Sequence, residues 1–169
     1  MKRYYNAIMK AIEKGAANFE QLNVPKPVTF DIHLGQESIP EEFEFEAPAI
    51  FYNYSIDYAS DYAYIYLYIV QDLDPDTENF AKDDGSPKLF DFLTAVKRSL
   101  MNVKPEGRAY GKMILSQEQP QTNDLFHCHL LTYKATYHAD MDTDLMPTSQ
   151  EIETSLTLQR GRLKQTATN

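Results

Sequence analysis

The sequence predicts an α+β domain. It has a mixed or antiparallel sheet of about four to five strands, with two helices packed on one face. Three observations carry this. Residues 62–69 alternate Tyr62, Tyr64, Tyr66 and Tyr68 with Ala63, Ile65, Leu67 and Ile69. Successive strand side chains point to opposite faces, so this is a strand with one aliphatic face and one face of four tyrosines. Apolar residues at helical spacing mark only two segments, near residues 2–14 and 88–101. The remaining patterned stretches alternate with period two and follow one another through short turns, which gives the order helix, strand, strand, strand, helix, strand, strand.

In chain order, residues 2–14 form the first helix, with Tyr4 or Tyr5, Ile8 and Ile12 on one face and Gly15 placed to stop it. Residues 16–27 read as a loop closed by Pro25 and Pro27. Val28, Phe30, Ile32 and Leu34 then alternate with Thr29, Asp31 and His33 in a half-buried strand that Gly35 ends. Residues 36–47 are an acidic loop. Pro48 opens a strand over 49–58, and Ala59-Ser60-Asp61 is a hairpin turn into the tyrosine strand. That turn predicts a second aromatic row, Tyr52, Tyr54 and Tyr58, beside the first. After an acidic loop at 72–85, Ser86 is placed to cap a helix with Pro87 at its first position, and Leu89, Phe92, Leu93, Val96 and Leu100 share its apolar face. Pro105 and Gly107 end it. Strands follow at 108–117 and 125–138, and Tyr133 and Tyr137 extend the expected tyrosine face. Residues 1–138 are one domain on this reading, and 139–169 are a C-terminal arm with a basic end at Arg160, Arg162 and Lys164.

Composition narrows the function classes. The net charge is −9, which disfavours gripping nucleic acid through its phosphates but leaves room for DNA to slide past. A lone cysteine, Cys128, excludes an internal disulfide framework and fits a reducing compartment. No apolar run follows the basic N-terminus, so a signal peptide is not expected there. The run at 62–70 is about half the ~20 residues of a membrane helix, and it alternates. Twelve tyrosines and no tryptophan favour strands and protein interfaces, because one end of tyrosine is apolar and the other forms hydrogen bonds.

Candidate chemistry is sparse. His127 and His129 form a His-x-His on one strand face, a spacing used for zinc, but a third ligand is missing: Cys128 and His138 point the other way. Asp72, Asp74 and Asp76 open like a calcium loop, yet Thr77 stands where the glycine belongs and Asp83 where the glutamate belongs, so a solvated acidic loop is the better reading. Asp140, Asp142 and Asp144 repeat the spacing. No nucleophile elbow, phosphate-binding loop or zinc-protease motif is present. Adjacent strand residues point apart, so His127 and His129 cannot easily activate Cys128. No cofactor is expected, and neither an enzyme nor a metal site. The tyrosine face itself has three readings: core packed on the first helix through Tyr4 and Tyr5, a subunit interface, or a platform stacking a ligand.

The layout resembles the tail terminator and tail-completion proteins of long-tailed bacteriophages. The resemblance runs over residues 4–138. It lies in the short helix Tyr5–Lys14, the strand and loop at Val28–Leu34 and Gly35-Gln36, and the strand opened by Pro48-Ala49-Ile50-Phe51 with its hairpin return. The helix Lys88–Met101 and a closing β-hairpin complete it. It implies a non-enzymatic virion protein made in the bacterial host cytoplasm, forming a hexameric ring that caps the tail tube and joins it to the head connector. Its partners would be copies of itself and other tail and connector proteins, with no membrane and no specific nucleic-acid binding, although DNA passes through the lumen. On that expectation Tyr52, Tyr54, Tyr62, Tyr64, Tyr66 and Tyr68 are interface residues, and Glu41, Glu42, Glu44, Asp72, Asp74 and Asp76 lie on ring or lumen loops, where carboxylates repel phosphate. The alternative is a small ligand- or protein-binding module that uses the tyrosine-rich sheet face.

Overall fold

A computed structural model describes residues 1–39, 42–72, 88–121 and 126–142. Helices α1 (Lys2–Lys14), α2 (Ala16–Gln21) and α3 (Lys88–Leu100) accompany strands β1 (Thr29–Ile32), β2 (Ala49–Asp57), β3 (Tyr62–Asp72), β4 (Ile114–Pro120) and β5 (Phe126–Thr136). One five-stranded sheet runs in the order β1-β2-β3-β5-β4. β1 is parallel to β2 and the other pairs are antiparallel, so the sheet is mixed. The class is α+β, with helices on one face. Glu41, Asp74, Asp76, the Ser86-Pro87 helix start and residues 143–169 lie outside the described residues.

The tyrosine strand is β3, at the centre of the sheet. Its Ala63, Ile65, Leu67 and Ile69 are all fully buried. They meet Ile8 and Ile12 of α1, Phe19 of α2 and Phe92, Leu93 and Val96 of α3 in one continuous core. Helices and sheet each have one apolar side, and burying those sides against each other yields the two-layer architecture. Tyr62, Tyr64, Tyr66 and Tyr68 consequently point away from all three helices and are half-buried.

The β2–β3 register corrects the expected second aromatic row. The turn occupies residues 58–61, one residue longer than expected, and Asp57 pairs with Tyr62. Asp57 shapes it: its carboxylate accepts the Ala59 and Ser60 N–H groups and the Ser60 hydroxyl, while Asp61 takes a left-handed φ of 55°. A shift of one residue moves a whole row to the other face. Tyr52 therefore lies opposite Leu67 and Tyr54 opposite Ile65, both on the helix side. Likewise Tyr133 lies opposite Ile65 and is 3% exposed. Tyr137, also expected on the tyrosine face, is buried in the helix-side core.

The aromatic partners of α1 are correspondingly different from those expected. Tyr5 packs edge-on against Tyr52, and Tyr4 against Tyr110, with centroids 5.5 Å apart in both pairs. The Tyr4 hydroxyl donates to the Gly111 or Thr136 carbonyl, which lets a phenol sit at 0% exposure. Burial still pushes its pKa up to about 12.

Two further expectations change. Residues 16–21 are helical, where a loop was expected. Gly15 has an ordinary φ of −77°, and its lack of a side chain serves a close approach, since a Cβ there would strike Ser99 of α3. At the other end, a single 3-10 turn at Ala139–Met141 brings Asp142 back into the domain. Asp142 is 2% exposed and accepts hydrogen bonds from the Tyr110 and Tyr137 hydroxyls at 2.6 and 2.7 Å. Burial and this neighbouring carboxylate raise the Tyr137 pKa.

Two predictions follow from this packing. Leu67→Ala should lower the unfolding free energy by about 2–5 kcal/mol, because it opens a cavity between sheet and helices. Tyr64→Ala, on the uncovered face, should cost less than about 1 kcal/mol. Urea denaturation of the two variants measures the contrast, and equal losses would place the tyrosines in the core. Asp142→Ala should cost about 1–3 kcal/mol, since it strands two buried hydroxyls. The same titration reads it, and an unchanged midpoint would show that Asp142 does not tie residues 139–142 to the domain.

Candidate functional site: the open sheet face

The face opposite the helices is built by alternation from three central strands. β3 supplies Tyr62, Tyr64, Tyr66 and Tyr68. Opposite them β2 places Asp57, Ser55, Asn53 and Phe51, and β5 places Thr136, Lys134, Thr132 and Leu130. The strip is therefore flanked by short polar residues along most of its length, which leave the phenol rings half-exposed.

Local contacts hold the rings in place. The Lys134 ammonium sits 3.6 Å from the Tyr62 ring centroid and 5.8 Å from that of Tyr64. A cation over an aromatic face is attracted by the ring quadrupole. The hydroxyls of Tyr66 and Ser55 are 3.1 Å apart and hydrogen-bonded. At the far end His33 stacks flat on Tyr68, with centroids 3.7 Å apart and 6° between the planes. The Glu37 carboxylate meets the His33 ring nitrogen Nε2 at 3.0 Å. Burial and then the charge of Glu37 raise the Tyr68 pKa.

That far end is covered by the chain itself. Phe45, from the segment before β2, packs edge-on against Phe51 at 5.1 Å and on Phe126 at 5.2 Å. With Ala49, Val70 and Cys128 these rings make a small second core on the open face. The Cys128 thiol is 1% exposed there, and burial pushes its pKa up to about 12. It is a protonated thiol at neutral pH, without the thiolate that nucleophilic chemistry needs. Exposed Glu42, Glu44 and Glu46 alternate along the outside of the same segment.

The predicted site residues thus separate. Tyr62, Tyr64, Tyr66 and Tyr68 form one strip. Tyr52 is 3% exposed in the helix-side core, so the expectation that it faces a partner is corrected, and Tyr54 is 47% exposed on that same helix side. Glu42 and Glu44 are exposed, while Asp72 ends β3. His127 and His129 lie opposite Gln71 and Ile69, on the helix side. Among the described residues, no three His, Cys, Asp or Glu side chains gather as a metal set. Sequence reading missed Lys134 and the cover over Tyr68. Lys134 was not legible, because placing Tyr133 on the tyrosine face put the next residue, Lys134, on the opposite one.

His129 makes a pH prediction. It is 8% exposed, and its Nδ1 has no hydrogen-bond partner among the described residues. Burial lowers its pKa below the ordinary 6.5; Glu118 opposes this, and His127 and Lys97 add to it. The folded chain then binds fewer protons than the unfolded chain below about pH 6.5. Stability from neutral His129 is complete above that pH and falls as the pH drops toward the lowered value. Urea midpoints at successive pH values should decline across this window, and His129→Leu should flatten the decline. An unchanged slope in that variant would refute the assignment.

Among the described residues, no helix is long and apolar enough to cross a membrane. No protein-family model matches the chain, and no curated protein matches it.

Proposed function

We propose that the chain is a non-enzymatic structural subunit of a phage tail, forming a ring that caps the tail tube and joins it to the head connector. One observation carries the assembly part of this reading. The central strand of the sheet presents half-exposed Tyr62, Tyr64 and Tyr66, on the side opposite the helices, to whatever lies outside the chain, while Tyr68 lies under His33. Such rings have apolar bodies and hydrogen-bonding tips, and they are enriched at protein interfaces.

The sheet edges support the same reading. The β1 edge carries Ile32 at 54% exposure, flanked by Val28 at 59% and Leu34 at 65%, and the β4 edge carries Ile114 at 65%. Edge strands with exposed aliphatics are templates for pairing with another chain. The two edges differ, which suits a heterologous head-to-tail contact, and such contacts close into rings when the rotation allows. Exposed Glu42 and Glu44 suit a surface past which DNA moves without adhering, because carboxylates repel phosphate. The phage assignment itself rests on the resemblance of the sequence's order of elements to that of tail terminators.

Electron microscopy of the purified protein, together with its mass in solution, tests the reading. A ring, six-fold on the family pattern, is expected. Tyr64→Ala with Tyr66→Ala should abolish it while circular dichroism and the urea midpoint stay close to those of the parent protein. A monomer at every concentration, holding a small molecule, would instead make the strip a ligand platform.

A further inference from the structure

The charges of this acidic chain are segregated. Five of its 16 Lys and Arg side chains, Arg3, Lys10, Lys14, Arg98 and Lys104, line one groove of about 660 Å³ together with a single carboxylate, Glu106. The groove runs along α1, beside the end of α3 and the connector that follows it. Three of the cations have a local explanation: Arg3 lies over the Tyr110 ring and donates to the Glu106 carbonyl, and Lys14 and Arg98 stand in the last turns of α1 and α3, where a helix favours positive charge. Lys10 and Lys104 have none. Both are exposed, and no carboxylate among the described residues lies within ion-pairing distance of either.

The complementary surface is the segment Glu42–Glu46. Its three glutamates are exposed, and none is ion-paired among the described residues. The ridge is held in shape from beneath. Phe45 is packed on Phe51 and Phe126, and the Thr29 hydroxyl donates to the Glu46 carbonyl at 2.9 Å while accepting its N–H at 3.3 Å. A ridge ordered before contact loses little conformational entropy when it binds.

We propose that the basic groove of one copy docks the Glu42–Glu46 ridge of a second copy. The ridge packs on the open face and the groove lies in the helix layer, so the groove of a copy is filled by a neighbour. The contact joins two different patches, and repetition propagates head to tail. This inference rests on the ring reading above and supplies it with an electrostatic register for neighbouring subunits.

Reciprocal charge reversal tests it by light scattering and electron microscopy at low ionic strength. One variant carries Lys10→Glu and Lys104→Glu, which avoids the two helix-end cations. The other carries Glu44→Lys and Glu46→Lys. Each alone should assemble at least about tenfold more weakly than the parent protein. Their mixture should assemble again, because the acidic ridge of the first fits the basic groove of the second and the reversed pair also matches. All positions are exposed, and circular dichroism confirms folding. If both variants assemble as the parent does, the docking is wrong and the ring stands. If both fail and the mixture also fails, the pairing of these two patches is wrong. If the parent protein is monomeric at every concentration, the ring reading falls and the docking with it.

Discussion

The Asp57 turn and the burial of the β3 aliphatic row fix one register, and everything else in the molecule depends on it. Ala63, Ile65, Leu67 and Ile69 reach 0% exposure only with the helices on their side of the sheet. Burying each large aliphatic side chain contributes about 1.5–3 kcal/mol. No hydrogen bond available to a tyrosine row competes with that sum, so the helices take the aliphatic side and the tyrosines are left outward. The Asp57 carboxylate then chooses which parity of β2 joins each row. Tyr52 goes inward to meet Tyr5 and the core, and Asn53 and Ser55 go outward beside the ladder.

The consequence is a sheet with two unlike faces and two unlike edges. On the helix face most buried phenols are committed, while His129 Nδ1 and the Tyr133 hydroxyl have no hydrogen-bond partner among the described residues. The Tyr4, Tyr110 and Tyr137 hydroxyls each find a partner, and Asp142 joins the last two. The open face is mixed: one end is closed by Phe45 and the His33–Tyr68 stack, and the rest is phenol, hydroxyl, amide and the Lys134 ammonium. A surface of that chemistry is wet when alone and adhesive when covered, which is the property an assembling subunit needs. The charge pattern adds direction, because cations gather in the helix layer and glutamates over the open face.

Much of the domain was legible in advance. Both long helices, the mixed sheet, the central strand and its aliphatic core face follow from period and composition, because hydrophobic patterning is local. The sequence also placed Tyr62, Tyr64, Tyr66 and Tyr68 on one face. It misplaced Tyr133 and Tyr137 because β5 pairs with β3 from far along the chain, where no turn sets the parity, and it misplaced Tyr52 and Tyr54 because of the β2–β3 turn. Pairing parity is set by the turn at one end of a hairpin, and a turn of three residues and a turn of four look alike when either is rich in Asp, Ser and Ala. The helicity of residues 16–21 was hidden because six residues carry too little pattern and depend on packing Phe19 against Phe92.

By itself, then, the sequence determined which residues form each long element and which rows they present, since side-chain period is a property of the backbone. Only the tertiary structure decided which rows became neighbours, that β3 lies at the centre with Tyr62, Tyr64 and Tyr66 uncovered and Tyr68 under His33, and that distant Lys10 and Lys104 share one groove. Those outcomes depend on register and on the stacking of layers. Both are fixed by contacts between segments far apart in the chain, and no local pattern encodes them.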